Sequence, residues 1–142
     1  MDIDPDNKVV QLCAQGMSFE GEGDIADAKK CFLNAWAEST TDMEKFTSAH
    51  YVARHQDSIA EKLKWDETAL RFALKMEEAT MQSYYPSLYL NIAKCHEDLC
   101  DHSSAREHYQ KALEYSRFLS KDGYGDMIRS GILSGIERIL PL

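Results

Sequence analysis

The stretch from Pro86 to Tyr115 constrains the fold most, because its apolar and small residues recur with the period of an α-helix and are interrupted only once. They fall at positions 89, 92, 93, 96 and 99 and resume at 105, 109, 112 and 113 after a polar break. The pattern predicts two amphipathic helices joined by a tight turn. Ala93 and Ala105 lie on the stripes that face each other, where a small side chain lets two backbones approach closely.

The residue types in this stretch run in a defined order, from a large residue through a small one to a turn and two further alanines. The stretch resembles the tetratricopeptide repeat, a helix-turn-helix unit of about 34 residues, at Tyr89, Asn91, Ile92, Ala93, Asp101, Ala105, Tyr109 and Ala112. Two positions depart from the family pattern, since Cys100 stands where the turn usually has Gly and His96 where an aromatic residue is usual. The resemblance implies an all-α solenoid, as in small bacterial-type tetratricopeptide domain proteins.

The N-terminal segment matches the same pattern. Asp6 or Asn7 can cap a helix that begins near Lys8, and a second helix is predicted from Ile25 to Glu38. The matching positions are Leu12, Gly16, Phe19, the Gly23-Asp24 turn, Ala28, Phe32 and Ala35. These residues predict a first helix pair over residues 9–40.

The middle of the chain is less regular. Its periodicity predicts a helix from about Met43 to Lys62, a turn at Trp65-Asp66 and a partner helix from Glu67 to Ala79. With Ala69 taken as the counterpart of the first alanine in the other two second helices, the steps between units are 41 and 36 residues. The first helix of the middle pair is therefore predicted to be longer than usual.

The C-terminal segment carries one further helical pattern, with isoleucines at 128, 132, 136 and 139. A terminal helix with a polar outer side is what covers the last pair of a solenoid. Gly131 and Gly135 within it are spaced for close helix packing rather than for association in a membrane. We therefore predict one domain over residues 1–142 with about seven helices: pairs at 9–40, 43–79 and 86–119, and a capping helix at 125–140.

Charge and hydropathy argue against two classes of partner. The sequence has 16 Lys and Arg against 24 Asp and Glu, and its formal net charge of −8 opposes binding to a phosphate backbone. The first residues contain neither a basic segment nor an apolar one of the kind that directs secretion, and nowhere do about 18 apolar residues run together. We expect a soluble, cytoplasmic protein that binds neither nucleic acid nor a membrane.

The four cysteines show neither CxxC spacing nor the density of a disulfide scaffold, so we expect reduced thiols that pack mostly as small apolar residues. The densest polar group is Cys95, His96, Cys100 and His102. Thiolates and imidazoles are good zinc ligands, but structural zinc sites usually draw on two well-separated pairs. The four side chains straddle one helix end, and we expect no metal there.

The resemblance also implies where a ligand binds, because the first helix of each tetratricopeptide pair lines the concave groove. By that rule the groove receives Met17, Glu20, Tyr51, Arg54, His55, Ser58, Ser87, Leu90, Lys94 and Glu97. Aromatic, basic and apolar side chains together suit a peptide with apolar anchors and an acidic group. Tyr51 and His55 are alternatively partly buried edges of the core, and this choice stays open.

Two functions from different classes follow. The resemblance implies a binding module for a protein or peptide, without catalytic residues or a cofactor. The alternative is a small-molecule- or metal-binding regulatory protein that uses Tyr51, Arg54, His55, His96 and Glu97 in the same groove. An enzyme such as a methyltransferase is not expected, since the sequence has no nucleotide-binding motif and no convincing strand. A homodimer is left open.

Overall fold

The computed structural model describes residues 4–140. In that range every regular element is helical and no β-strand occurs, which confirms the predicted all-α class. The α-helices are α1 (Lys8–Gly21), α2 (Ile25–Glu38), α3 (Asp42–Ala53), α4 (Ile59–Ala73), α5 (Glu78–Met81), α6 (Tyr85–Asp98), α7 (His102–Tyr115) and α8 (Gly123–Ile139), with a 3-10 turn at Ser116–Phe118. About seven helices are predicted, and the additional one among the eight described is the short α5.

Polar side chains at the helix starts determine where α1 and α3 begin. Asn7 accepts hydrogen bonds from the backbone N–H groups of Val9 at 2.8 Å and Val10 at 3.1 Å, which confirms the cap predicted for α1. Thr41 and Glu44 form a capping box at α3, in which each side chain accepts the backbone N–H of the other residue. The Asn7 amide also donates to the Glu44 carboxylate at 2.8 Å, so the starts of the two helices are bonded to each other.

The helices divide into two compact units, Met1–Met76 and Glu77–Leu142. The first unit holds α1 to α4, and the second holds α5 to α8. The idea of one domain with a groove along all three pairs stays a prediction.

In the first unit successive helices pack against each other, and α1 also contacts α3. One buried cluster consists of Ala28, Phe32 and Val52. A Cβ atom at Gly16 would lie 2.4 Å from the Phe32 ring, so a glycine is needed for α1 to approach α2 this closely. Gly16, Ala28 and Phe32 all belong to the pattern that predicts this helix pair.

In the second unit α6, α7 and α8 all pack on one another. A buried cluster is formed by Ala93, Ala105, Tyr109 and Ile139. A Cβ atom at Gly135 would lie 2.2 Å from the Tyr109 ring, and one at Gly131 would lie 3.1 Å from Leu90. Both glycines of α8 therefore permit close packing, as predicted. Within residues 4–140 no helix combines the length and the apolar character that crossing a bilayer requires.

The helix predicted from Met43 to Lys62 is wrong, because α3 ends at Ala53 and α4 begins only at Ile59. Ser58 caps α4 by accepting the backbone N–H of Glu61 at 3.1 Å. The break between the helices, residues 54–58, holds no apolar residue, and the cap at its end starts a new helix. The middle pair therefore has a first helix of ordinary length and not a long one.

The same break moves the turn of the middle pair. Trp65 and Asp66, predicted at the turn, lie inside α4, and the partner helix covers Ile59–Ala73 rather than Glu67–Ala79. The Asp66 side chain is 2 % exposed, and its carboxylate accepts a hydrogen bond from the Lys62 ammonium at 2.6 Å, one helical turn away. A buried, paired carboxylate inside a helix resembles a polar turn in the sequence, which is the reason for the error.

The number of residues between corresponding N-cap residues gives the spacing of the helix pairs. Asn7 and Thr41, which begin α1 and α3, are 34 residues apart, and so are Asp24 and Ser58, which begin α2 and α4. The caps of α6 and α7 follow 43 residues after those of α3 and α4. The predicted steps of 41 and 36 residues are therefore wrong. The extra residues lie around α5, between the second and third pairs, and not inside the middle pair.

The tight turns inside the first and third pairs share one backbone feature. Gly23 has a φ of 79° and Cys100 a φ of 63°, both in the left-handed region. Each directly precedes the aspartate, Asp24 or Asp101, whose side chain caps the following helix. Cys100 thus adopts the backbone conformation that a glycine adopts at the matching point of the first pair.

Candidate functional site

Predicted groove residues of the first unit meet around the carboxylate of Glu20. Glu20 lies in the last turn of α1, and Arg54 and His55 directly follow α3. The Arg54 guanidinium donates to Glu20 Oε1 at 3.0 Å, and His55 Nε2 lies 2.6 Å from Glu20 Oε2. These three residues, which we call the Glu20 cluster, connect the end of α1 to the turn between α3 and α4.

The Glu20 cluster lies on aromatic rings. Phe32 stacks on Tyr51 with ring centres 5.1 Å apart, and on His55 with ring centres 6.2 Å apart. The Arg54 guanidinium carbon lies 4.6 Å from the centre of the Tyr51 ring, within the range of a cation–π contact. Tyr51 and His55 are only partly exposed, so they stabilise the packing of the unit as well as any surface they line.

The two other predicted groove residues of this unit have different surroundings. Met17 lies on α1, one turn before Glu20, and is 42 % exposed. The Ser58 side chain accepts a backbone N–H at the start of α4. Met17 is therefore an apolar group available at the surface, whereas Ser58 is used by the helix cap.

The predicted groove residues of the second unit lie on α6. The Ser87 hydroxyl donates to the backbone oxygen of Tyr84 at 3.2 Å. Leu90 packs against the buried cluster of the unit, and the Lys94 ammonium pairs with the Asp98 carboxylate one turn away. None of these three interactions is an ion pair between α6 and a neighbouring helix.

Glu97, the fourth of these residues, is the centre of a hydrogen-bond network. The Arg138 guanidinium donates to both carboxylate oxygens, at 2.8 and 3.1 Å, and the Tyr109 hydroxyl donates to one of them at 2.7 Å. Hydrogen bonds from Arg138 hold the pKa of the Glu97 carboxyl below its ordinary value. Burial and the bond to Glu97 raise the pKa of the Tyr109 phenol. These three residues, the Glu97 network, join α6, α7 and α8.

Glu20 and Glu97 occupy the same place in their helices, 13 residues after the N-cap residue of α1 and of α6. Each accepts an arginine that follows or ends the next helix but one, Arg54 after α3 and Arg138 in α8. The sequence predictions name both glutamates and Arg54, but they miss Arg138. Its only signal in the sequence is a basic residue in the last turn of the amphipathic C-terminal helix.

These contacts alter the expected electrostatics of the groove. Arg54 and Lys94, predicted to receive an acidic group of a ligand, each already contact a carboxylate of their own unit, Glu20 and Asp98. The predicted groove residues also divide between the two units, with six in the first and four in the second. Within each unit the charged members are bonded to one another or to a neighbour.

The group Cys95, His96, Cys100 and His102 does not form one site. Cys95 is buried and Cys100 is exposed, and both are free thiols. The His96 ring lies against His108, with ring centres 5.1 Å apart. In the part of the chain from residue 4 to residue 140, no group of three or more His, Cys, Asp or Glu side chains is placed to hold a metal ion.

Comparison with known proteins adds no assignment. No family model matches the chain, and no curated protein or solved structure matches it significantly. The resemblance to the tetratricopeptide repeat therefore stays an expectation from the sequence. A function has to be argued from the contacts of the chain itself.

Proposed function

We propose that this chain is a protein-interaction module of three tetratricopeptide-like helix pairs, α1 with α2, α3 with α4 and α6 with α7, followed by α8 as a capping helix. In this proposal the binding surface is the side of α1 and α3 that carries Met17, Tyr51 and Arg54, which we call the α1–α3 face. Its occupant is a peptide segment of a partner protein. No catalytic role is assigned.

The spacing of the helix starts supports the repeat assignment. The 34 residues between the caps of α1 and α3, and between those of α2 and α4, equal the length of the repeat in this family. The third pair has the same helix lengths as the first, 14 residues for each helix. The left-handed turn residues Gly23 and Cys100 stand at matching points of the first and third pairs.

The main support for the binding proposal is the contact between α1 and α3, which has a side-chain hydrogen bond at each end. Asn7 donates to Glu44 where the two helices start, and Glu20 accepts from Arg54 where they end. Met17 is a large apolar side chain left exposed on α1 between those two bonds. Methionine adapts its shape to different partners, which suits a surface that receives a peptide side chain.

The chemistry of the peptide follows from the Glu20 cluster. The positive charge of Arg54 is already compensated by Glu20, so an acidic group of the ligand would meet little net positive charge there. An exposed ion pair contributes only about 0–1 kcal/mol, and a second carboxylate on the same arginine gains little. We therefore assign recognition to apolar side chains of the peptide, which contact Met17 and the partly exposed ring of Tyr51.

Site-specific photo-crosslinking in cells tests the proposal. The photoreactive residue benzoylphenylalanine replaces Met17 in one variant and Leu113 in a matched control. Both side chains are large, apolar and similarly exposed, at 42 % and 43 %, but Leu113 lies on α7 and outside the α1–α3 face. A partner protein captured from position 17 and not from position 113 supports the proposal. Identical products from both positions, or none from position 17, contradict it.

A further inference from the structure

A second surface of the first unit contains both tryptophans of the sequence. Trp36 on α2 meets Trp65 and Phe72 on α4 in edge-to-face arrangements, with ring centres 5.1 and 6.0 Å apart. All three rings are partly exposed. Leu33, one helical turn before Trp36 on α2, is 45 % exposed. We call Trp36, Trp65 and Phe72 the tryptophan surface.

Three cations lie over these rings. Lys45 Nζ is 4.2 Å from the centre of a Trp36 ring, while Lys75 Nζ is 4.6 Å and Arg71 Cζ 5.3 Å from the centre of Phe72. A cation–π contact holds the cation in place without supplying a counter-charge. In the region the structure describes, no ion pair involves any of the three.

Most of the remaining basic side chains of this unit are neutralised locally. Those paired with a carboxylate are Lys29, Lys30, Arg54, Lys62 and Lys64. Among the residues of this unit that the structure describes, the Lys and Arg side chains without such a pair are therefore Lys8, at the start of α1, and the three over the tryptophan surface. In a chain with a net charge of −8, three cations that form no ion pair in the described region therefore lie on one surface.

We propose that the tryptophan surface is a docking site for an acidic linear segment of a partner protein. The segment carries carboxylates that pair with Lys45, Arg71 and Lys75, and at least one aromatic or aliphatic anchor that packs on the exposed ring edges. Partly exposed tryptophan and arginine are the residues that most often dominate binding energy at protein interfaces. The proposal does not depend on the α1–α3 face.

The charge of the whole chain favours a peptide over a nucleic acid as the occupant. A polynucleotide brings one negative charge per residue along its whole length, and a protein of net charge −8 repels it beyond the three cations. A peptide with a few carboxylates next to an apolar anchor meets only the local positive charge. Its anchor also buries apolar area on the rings, which a phosphate backbone does not provide.

The first step of the test is selection from a phage library of short random peptides on the immobilised full chain. The competitor in solution is the full chain with Lys45→Glu, Arg71→Glu and Lys75→Glu together. We expect the retained peptides to contain two or more carboxylates and an aromatic or aliphatic residue. Retained peptides that lack acidic residues, or no peptide retained on the immobilised chain in the presence of the triple variant, would overturn the proposal.

The second step is titration of a retained peptide, made without tryptophan, followed by intrinsic fluorescence. Because both tryptophans lie at this surface, binding there changes their emission directly. We expect a saturable change, about ten-fold or more weaker binding by the triple variant, and weakening by added salt. Lys111→Glu is the matched control, since Lys111 lies over the Tyr89 ring of the second unit, 5.9 Å from its centre, and outside the surface. That variant should bind like the wild type.

Folding and rival occupants are tested alongside. Circular dichroism establishes that each variant is folded, and Lys45→Gln, Arg71→Gln and Lys75→Gln together replace the triple variant if it is not. Equal affinity of the wild type and the folded triple variant refutes the proposal. So does tighter binding of an oligothymidylate than of any retained peptide. Self-association in sedimentation that is lost in the triple variant would assign the surface to a second copy of the chain, and would also refute it.

Discussion

Substitutions at the two left-handed turn positions should change stability in opposite directions. Gly23 has a φ of 79° and Cys100 a φ of 63°. In this region a side chain costs about 1–2 kcal/mol, because Cβ approaches the following carbonyl oxygen. Glycine avoids this cost, but it loses more conformational entropy on folding, which offsets roughly 0.5–1 kcal/mol of the advantage. Packing adds little, since a Cβ at Gly23 meets nothing within 4 Å and Cys100 is exposed.

We therefore expect Cys100→Gly to raise the free energy of unfolding by about 0.5–1 kcal/mol and Gly23→Ala to lower it by a similar amount. The assay is urea unfolding followed by both circular dichroism and tryptophan fluorescence. Both tryptophans belong to the first unit, so fluorescence follows the unit that contains Gly23, whereas circular dichroism follows the helices of both units. The change from Cys100→Gly should accordingly be seen by circular dichroism.

Cys100→Ser is the control for the thiol, because it removes the sulfur and keeps the Cβ atom. Its stability should lie within about 0.5 kcal/mol of the wild type. If Cys100→Gly is destabilising, the backbone argument is wrong. If Cys100→Ser stabilises as much as Cys100→Gly does, the thiol and not the backbone conformation is responsible.

Three further variants or conditions test the packing and the buried groups. Gly16→Ala should destabilise by about 1–3 kcal/mol in urea unfolding, because its Cβ would lie 2.4 Å from Phe32, whereas Gly21→Ala, with open space, should not. Tyr109→Phe should cost about 1–2 kcal/mol in the same assay, since it removes a hydroxyl from the Glu97 network; no loss would mean that the network is not stabilising. Burial, with Arg54 nearby, lowers the pKa of His50 to about 4, so the unfolded chain binds the extra proton between that pH and about 6.5. Stability should therefore fall by about 2 kcal/mol from pH 7 to pH 5, and His50→Phe should reduce this loss.

Local signals explain why the first helix pair could be predicted from the sequence. Asn7 caps α1 through bonds to N–H groups two and three residues away, and Asp24 caps α2 in the same manner. The predicted bounds of α2, Ile25 and Glu38, are those of the structure. Both residues of each capping bond lie within three positions of each other, so these helix starts can be predicted without knowledge of the tertiary structure.

The middle pair could not be predicted because two of its features depend on tertiary contacts. Asp66 is buried inside α4 by the packing of the unit, and there its carboxylate accepts a hydrogen bond from the Lys62 ammonium. Trp65 lies partly exposed against Trp36, which is 29 residues away in the sequence. Ser58 followed three residues later by Glu61 is a local mark of a helix start, and the helix predicted from Met43 to Lys62 overlooks it.

The two predicted groove glutamates show that a repeat pattern can place a residue correctly in its helix and still miss the contacts that it makes. Glu20 and Glu97 stand at equivalent points of α1 and α6, where the resemblance assigns them to a ligand surface. In each unit the carboxylate instead accepts an arginine from 34 or 41 residues further along the chain, and so bonds two helices together. A residue that holds the helices side by side is not available to a ligand without a cost to the unit. Selectivity at the α1–α3 face should therefore depend on apolar neighbours such as Met17. Glu20→Gln should lower the free energy of unfolding and leave the choice of partner unchanged.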